Sequence, residues 1–179
     1  MNATRPDAPP AFLFFGVFTS DVALFPRVRQ GIEARFGKIH PQGESETFPF
    51  PPTRTYARTM GESLQRKFFV LEQLWPQDGL ADVKEATLEM EAEIAAAPSS
   101  NVERPVNIDP GLLNDCRIIL ASTKDYAHRI YRGRGIWEEI TLVWEKGAFR
   151  PHPWTYRDFR DPNYHPFFSR FRKELLAGR

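Results

Sequence analysis

The stretch FLFFGVFTSDVALFPRVRQGIEARFG, residues 12–37, joins an apolar run to a helical pattern. Residues 12–18 are apolar throughout apart from Gly16, which is typical of a strand that is buried on both faces. Apolar side chains then recur at every fourth residue, as on one side of an amphipathic helix: Leu24, Val28, Ile32 and Phe36. Gly37 is a suitable end for this helix. The stretch therefore predicts a buried strand followed by a helix that packs on it.

Similar patterns predict the remaining elements. Strands are expected at residues 38–50, 64–74, 106–108, 116–121, 128–131 and 136–144. A second amphipathic helix with a solvated acidic face and an end at Pro98 is indicated by Leu80, Val83, Thr87, Met90 and Ile94. A short terminal helix is indicated by Tyr164, Phe167, Phe168, Phe171 and Leu175. Residues 53–61 are expected to form a loop, and 133–135 and 146–147 to form hairpin turns.

The order of these elements predicts an α+β fold. Through residue 109 the order is strand, helix, strand, strand, helix, strand, which is the ferredoxin-like split βαβ arrangement. We therefore expect residues 12–109 to form a ferredoxin-like core, and residues 110–179 to add a β-rich extension with the terminal helix. The Pro-rich residues 1–11 are expected to be a flexible arm before a single domain at 12–179.

Composition excludes some classes of protein and leaves others open. A hydrophobic content of 41% argues against intrinsic disorder. Residues 1–100 hold 10 Lys and Arg against 13 Asp and Glu, whereas residues 101–179 hold 14 against 10. The positive half suits an anionic small-molecule ligand, although an ordinary mixed surface explains the same numbers. The overall net charge of +1 argues against nucleic-acid binding as the function.

Cysteine and histidine positions argue against a metal site. Cys116 is the single cysteine, so neither an internal disulfide nor a multi-cysteine metal site can form. Because Cys116 opens an apolar run, we expect it to be buried and inert. The histidines are too scattered for metal-ligand spacing: His40, His128, His152 and His165. No segment reaches membrane-spanning length, and the expected location is the cytoplasm.

The segment RPVNIDPGLLNDCRIILASTKDYAHRIYRGR, residues 104–134, concentrates polar side chains around short apolar runs. Asn107 and Asp109 are two apart on a predicted strand and so point the same way. The Pro110-Gly111 pair is expected to turn the chain just after them. Asp109 is therefore either a candidate catalytic base in a cleft, with Asn107 beside it as a ligand-binding residue, or a cap for that turn.

A second polar group follows the strand at 116–121. Ser122, Thr123 and Lys124 stand at its end, and Lys124 together with Arg129 suits a phosphate or carboxylate ligand. His128 is a candidate proton shuttle, with a satisfied structural histidine as the alternative. If residues 128–131 form a strand, His128 and Arg129 face opposite ways.

Candidate residues also occur nearer the C-terminus. Glu139 is a candidate base if the strand at 136–144 turns it toward the site, and it belongs to a solvated face otherwise. Tyr156 and Arg157 lie in the aromatic stretch PWTYRDFR and are candidate ligand-binding residues. Neither common glycine-rich phosphate loop is present, and no cofactor or oligomeric state is indicated.

Four segments resemble those of a known bacterial and archaeal protein family: FFGVFTSD, VNIDPG, LASTKDYAHRIYRGRGIWEEITL and PWTYRDFR. The resemblance extends from Phe12 to the terminal helix, and the family is catalogued only as a domain of unknown function. It implies no reaction, ligand or catalytic residue that could be assigned to this chain.

Three functions are compatible with these patterns. The first is a protein or enzyme that binds a small molecule with a phosphate or carboxylate group, a nucleotide among them. The second is a non-catalytic module whose aromatic C-terminal part docks onto a protein. The third, RNA binding on a ferredoxin-like sheet, rests on an analogy of fold. A shared cavity lined by the candidate residues would favour the first function over the second.

Overall fold

The computed structural model describes residues 7–50, 54–97 and 102–178. The strands are β1 (Ala11–Thr19), β2 (Ile39–Glu44), β3 (Phe48–Pro49), β4 (Gln65–Trp75), β5 (Val106–Leu113), β6 (Arg117–Ser122), β7 (Ile130–Gly133), β8 (Ile136–Glu145) and β9 (Ala148–Pro151). The helices are α1 (Leu24–Phe36), α2 (Arg54–Met60), α3 (Leu80–Ala95) and α4 (His165–Ala177). None of these helices combines the length and the apolar character that crossing a bilayer requires.

The strands form one antiparallel sheet. Its main order is β2-β4-β1-β5-β6-β8-β7, while β3 pairs with β4 and β9 pairs with β8. The predicted mixture of helices and an antiparallel sheet is confirmed, and the strands after β5 extend the same sheet. The sheet therefore continues directly from the part predicted as the core into the part predicted as the extension.

Both faces of the sheet are covered because β1 is apolar on both sides. Leu13 and Phe15 pack with α1 and α3 on one face, where Val28, Ile32 and Met90 are buried. On the opposite face, Phe12 and Phe14 of β1 pack with aromatic side chains of α4 and of the segment before it: Phe159, Tyr164, Phe168 and Phe171. The prediction that residues 12–18 are buried on both faces is confirmed, since every residue of β1 is buried.

The helical predictions hold for α1, α3 and α4, but the loop predicted at 53–61 is wrong. Residues Arg54–Met60 form α2, and residue 53 lies outside the described residues. Met60 and Tyr56 are one helical turn apart and pack with Phe18 and Phe50. This tertiary contact stabilises a helix whose sequence has no long apolar stripe. Pro98 also lies outside the described residues.

The turn predicted at Pro110-Gly111 is also wrong. Strand β5 continues through both residues to Leu113, and Pro110 stands opposite Phe15 of β1. Gly111 fits a crowded part of the sheet, because a Cβ there would lie 2.4 Å from the Phe14 ring. The pair is therefore accommodated inside the sheet, where β1 supplies the pairing partner.

Cys116 is exposed, which contradicts the prediction of burial. Strand β6 begins at Arg117, so Cys116 lies in the connection from β5 rather than in the buried run. Its thiol donates to the side-chain oxygen of Asn114 at 3.3 Å. The apolar run that buries its side chains starts at Ile118.

Strand β7 has the predicted length but begins two residues later, whereas its hairpin is as expected. His128 and Arg129 precede β7 in a turn and are not part of a strand. Arg134 and Lys146 have positive φ angles of 51° and 50°, as the predicted hairpin turns require. Of the predicted arm at 1–11, residues 1–6 lie outside the described residues, residues 7–10 are exposed, and Ala11 begins β1.

Candidate functional site

Strands β5 and β6 separate at Gly111. Their pairing runs from Leu113 opposite Ile118 to Gly111 opposite Leu120. The residue of β5 just before Gly111 is Pro110, which has no N–H to donate to a neighbouring strand. The sheet consequently opens at the position where the N-terminal half of β5 and the C-terminal end of β6 face each other.

Side chains of α3 occupy this opening. The main-chain N–H of Ile108 donates to Glu91 at 2.7 Å, and Lys84 donates to the main-chain oxygen of Ile108 at 2.9 Å. The Lys84 ammonium also lies 3.4 Å from a carboxylate oxygen of Asp109. Arg104 donates to Asn107 at 2.8 Å and to Glu91 at 3.5 Å. The opening is thus lined by paired charges that are attached to the edge of β5.

A cavity of about 220 Å³ lies beside these groups. Its charged lining residues are Arg66, Lys84, Glu91, Arg104, Asp109, Lys124 and Asp158. Its other polar lining residues are Tyr56, Asn107, Ser122, Thr123 and Tyr156. Apolar walls are provided by Phe18, Phe50, Leu88, Leu120 and Phe159. The cavity therefore has the mixture of apolar walls and convergent polar groups that is typical of small-molecule sites.

Arg66 of β4 is the most deeply buried cation of the lining, with its side chain 3% exposed. Its guanidinium lies 3.1 Å from Asp158 and 3.7 Å from Asp109. The guanidinium carbon is 4.9 Å from the ring centres of both Phe18 and Phe50, which is cation–π geometry. A glycine at position 16 of β1 makes room for this group, because a Cβ there would lie 2.5 Å from an Arg66 nitrogen.

Several buried polar atoms of the cavity residues have no hydrogen-bond partner among the described residues. Three are donors, namely Nε and Nη1 of Arg66 and Nδ2 of Asn107. One is an acceptor, Oδ2 of Asp158, which is near Arg66 but has no hydrogen bond of acceptable geometry. Buried polar groups are normally paired, so these atoms indicate hydrogen-bonding capacity that the fold itself does not use.

Burial alters the protonation of the acidic and phenolic groups. It raises the pKa of Glu91 and of Asp158 above their usual values, although Lys84 and Arg66 respectively act in the opposite direction. Burial, assisted by the charge of Asp109, raises the pKa of Tyr56 to about 12. Burial also raises the pKa of the Tyr156 hydroxyl. The phenols are consequently neutral proton donors at ordinary pH, and the carboxyls bind protons more tightly than they do in water.

A second charged cluster adjoins the cavity and is centred on the buried carboxylate of Glu139. Arg129 donates to Glu139 at 2.7 Å, and His128 contacts the same oxygen at 2.9 Å. Arg129 also donates to the Ser122 hydroxyl at 2.7 Å and to the Tyr156 hydroxyl at 2.5 Å. Although burial lowers the pKa of Arg129, the hydrogen bonds to Glu139 and Tyr156 raise it on balance. Arg129 therefore joins the cluster to two cavity residues.

The structure brings most of the predicted ligand-binding residues to this cavity. Those that line it are Asn107, Ser122, Thr123, Lys124 and Tyr156, and the catalytic candidate Asp109 lies beside them in the lining. Arg129 is buried outside the lining and donates its hydrogen bonds to protein groups. Arg157 is exposed and also lies outside the lining.

Three features of the predicted site differ in the structure. His128 and Arg129 do not face opposite ways, because both contact the same oxygen of Glu139. Glu139 is not on a solvated face, because its side chain is fully buried. Asp109 does not cap a turn and instead lies within β5 beside Lys84.

Sequence reasoning missed several of the lining residues. Arg66 alternates with the buried Phe68 and Val70, so a charge on the buried face of a strand was the signal available for it. Lys84 and Glu91 are seven residues apart and therefore share one side of α3. We interpreted the acidic residues of α3 as solvated, yet the side chain of Glu91 is only 11% exposed. Arg104, Tyr56 and Asp158 had no such signal.

The described residues contain no group of three or more His, Cys, Asp or Glu side chains that could hold a metal ion. The polar groups that converge on the cavity are instead amides, hydroxyls and paired charges. Their arrangement suits hydrogen bonding to a ligand more than coordination of a cation.

A known protein family matches almost the whole chain. Residues 9–175 match the family described as Domain of unknown function (DUF4416). The chain belongs to that family. No curated protein and no solved structure matched the chain. The match covers the cavity residues and the Glu139 cluster, so the site lies within the family's domain.

Proposed function

We propose that this protein binds a small molecule with a phosphate or carboxylate group in the cavity between β5, β6 and α3. The observation that supports this most directly is Arg66, whose buried guanidinium has two nitrogens without a hydrogen-bond partner among the described residues. An unpaired buried donor is costly, and an oxyanion is the ligand that satisfies a guanidinium best. The unpaired amide nitrogen of Asn107 adds a further donor in the same lining.

The size of the cavity supports a ligand smaller than a nucleotide. Its volume of about 220 Å³ is below the range of about 300–1,000 Å³ that is usual for drug-sized ligands. Four cationic and three acidic side chains line it, so the cations exceed the carboxylates by one. A sugar phosphate or a short carboxylic acid suits both the volume and the charge.

The lining residues divide into two kinds in this proposal. Arg66 and Asn107 hold the anionic group from inside, while the exposed Lys124 attracts it from the rim. Tyr156 is a neutral hydroxyl donor, held in place by Arg129. Asp109, whose side chain is 28% exposed, is the candidate base if a reaction takes place on the bound molecule.

Isothermal titration with inorganic phosphate, glycerol phosphate and succinate tests this proposal. We expect at least one of these anions to bind the wild-type protein and to raise its melting temperature. Lys124→Ala is expected to weaken binding without lowering the melting temperature of the free protein, because Lys124 is exposed.

Lys146→Ala is the matched control, since Lys146 is an exposed lysine in the turn between β8 and β9. It should bind like the wild type. If none of the anions binds, or if Lys124→Ala unfolds readily while the wild type has no affinity for anions, the proposal is wrong.

A protein-interaction module is the second candidate function. Large exposed hydrophobic side chains are concentrated around β7 and β8: Tyr126, Ile130, Tyr131, Ile140 and Trp154. Such clustering supports an interaction surface at this edge of the sheet. Ultracentrifugation of the wild type and of Ile130→Asp tests for self-association through the edge. A wild-type mass that stays monomeric at all concentrations argues against a second copy as the partner.

We also propose that residues 12–109 are a ferredoxin-like core within one domain spanning 12–179. Support comes from the antiparallel order β2-β4-β1-β5, and from α1 and α3 packing on one face. Helix α2 and strand β3 are additions between β2 and β4. A crystal structure with another order of these four strands would contradict the assignment. The proposed cytoplasmic location, which fits a chain without an internal disulfide, is tested by cell fractionation.

A further inference from the structure

We propose that the anionic group bound in the cavity carries its own proton, as hydrogen phosphate does, and that the site discriminates against sulfate. This inference rests on the proposed function, because it concerns the chemistry of the ligand at the same site. It follows from the mixture of hydrogen-bond donors and acceptors around the Arg66 guanidinium.

The donors alone would accept any oxyanion. Nε and Nη1 of Arg66 and Nδ2 of Asn107 need acceptors, and both sulfate and phosphate offer oxygen atoms. A site intended for a fully deprotonated anion would contain donors only, since each carboxylate beside it repels the ligand. The donors therefore explain why an anion binds but not which anion.

The carboxylates supply the discrimination. Asp158 and Asp109 lie 3.1 and 3.7 Å from the same guanidinium, so an anion that reaches Arg66 also approaches them. Oδ2 of Asp158, the oxygen that lies 3.1 Å from Nη2 of Arg66, is buried and makes no hydrogen bond of acceptable geometry with the described residues. A carboxylate oxygen only accepts hydrogen bonds, so a ligand O–H can use the capacity that the ion pair with Arg66 leaves. Hydrogen phosphate provides this O–H on the same group whose other oxygen atoms can accept from an unpaired donor of the site.

Sulfate cannot make the same set of contacts. It carries no proton at neutral pH, so its oxygen atoms would face Asp158 and Asp109 without a hydrogen between them. The two anions are otherwise well matched, because both are tetrahedral and both are dianions above the second pKa of phosphate. The proton on phosphate is the difference that the site can recognise.

The protonation of Asp158 decides between two outcomes. Burial raises the pKa of this carboxyl, which makes the carboxylate a stronger acceptor for a ligand proton. If the carboxyl instead keeps a proton of its own above the second pKa of phosphate, it donates equally to either anion. Selectivity for phosphate would then be absent, and the inference would be wrong.

Isothermal titration of the wild-type protein with sodium phosphate and sodium sulfate tests the inference, at equal ionic strength and at a pH well above the second pKa of phosphate. We expect phosphate to bind about tenfold more tightly than sulfate or better, because an unsatisfied or repelled buried group weakens binding by about that factor. Wild-type affinities that agree within experimental error overturn the inference but leave the proposed function standing. If phosphate, sulfate, glycerol phosphate and succinate all fail to bind, both the inference and the proposed function are wrong.

Asp158→Asn is the decisive variant, since its amide can donate to sulfate and no longer repels it. We expect the ratio of the phosphate affinity to the sulfate affinity to fall toward one. Asp161→Asn is the control, because Asp161 lies three residues further along, outside the cavity lining, and caps the turn before α4. It should retain the wild-type ratio, and an unchanged ratio in a folded Asp158→Asn protein contradicts the inference. If circular dichroism shows that Asp158→Asn does not fold, Asp109→Asn is titrated in its place, with the same expectation.

Discussion

Lys84 of α3 donates a hydrogen bond to the main-chain oxygen of Ile108 in β5, at a distance of 2.9 Å. The main-chain N–H of the same residue, Ile108, donates a hydrogen bond to Glu91 of the same helix. A helix therefore supplies the hydrogen bonds that a neighbouring strand supplies elsewhere in the sheet. This substitution keeps β5 satisfied where β6 has separated from it, and so it makes the cavity compatible with a stable sheet.

Lys84→Met is expected to destabilise the protein by about 3 kcal/mol, because it leaves the buried main-chain oxygen of Ile108 without its donor and removes the buried cation that lies beside Asp109 and Glu91. The side chain of Lys84 is 5% exposed and lies near both Asp109 and Glu91. Urea unfolding measures the change in free energy. Lys173→Met, an exposed lysine of α4, is the control and should change stability by less than about 0.5 kcal/mol. Equal effects of the two substitutions would show that the Ile108 contact is not important for stability.

Glu139→Gln and Glu138→Gln form a second pair of variants on adjacent residues. The Glu139 and Arg129 side chains are 0% and 1% exposed, so removing the carboxylate charge is expected to cost about 3 kcal/mol. Glu138 has a pKa raised by burial and pairs with Arg132, which is 39% exposed. Its substitution is expected to change stability by less than about 1 kcal/mol. Thermal and urea unfolding compare the two, and a larger loss for Glu138→Gln would contradict the expectation.

The contribution of Glu91 to stability is expected to depend on pH. Burial raises the pKa of Glu91 in the folded protein above its usual value of 4.5. The folded state then binds the proton more tightly than the unfolded state does, so this group's contribution to stability decreases as the pH rises through the folded pKa. The free energy of unfolding of the wild type, relative to that of Glu91→Gln, should therefore decrease from pH 4.5 toward neutral pH. Glu89→Gln, an exposed position on α3, controls for the loss of charge, and a difference that grows with pH would contradict the prediction.

Cys116 is expected to react with a thiol reagent in the native protein, because its side chain is exposed. Absorbance during labelling with a disulfide reagent measures the rate, with Cys116→Ser as the blank. Labelling should be about as complete without denaturant as with it. A thiol that reacts only after unfolding would show that the connection between β5 and β6 is buried in solution.

The sequence by itself determined the helices and strands whose patterns are long and regular. The period of four in α1 and the apolar run of β1 each specify one local structure, because side-chain burial follows the backbone period. The mixture of helices and an antiparallel sheet followed from the order of such elements. Short or mixed segments were predicted wrongly. Helix α2 is held by its contacts with Phe18 and Phe50, which are distant in the sequence, and Pro110 is accepted in a strand because β1 pairs with it.

The candidate site divides in the same way. Asn107, Asp109 and Lys124 were recognisable as polar residues at or beside apolar strands, and all three line the cavity. The roles of Arg66 and Lys84 were decided by the tertiary structure, because a single charged residue within a pattern does not reveal which groups will surround it. The burial and the charge pairing of these side chains depend on the separation of β5 from β6 and on the position of α3 beside that opening. Local periodicity shows which way a side chain points, whereas only the assembled sheet and helices determine what it meets there.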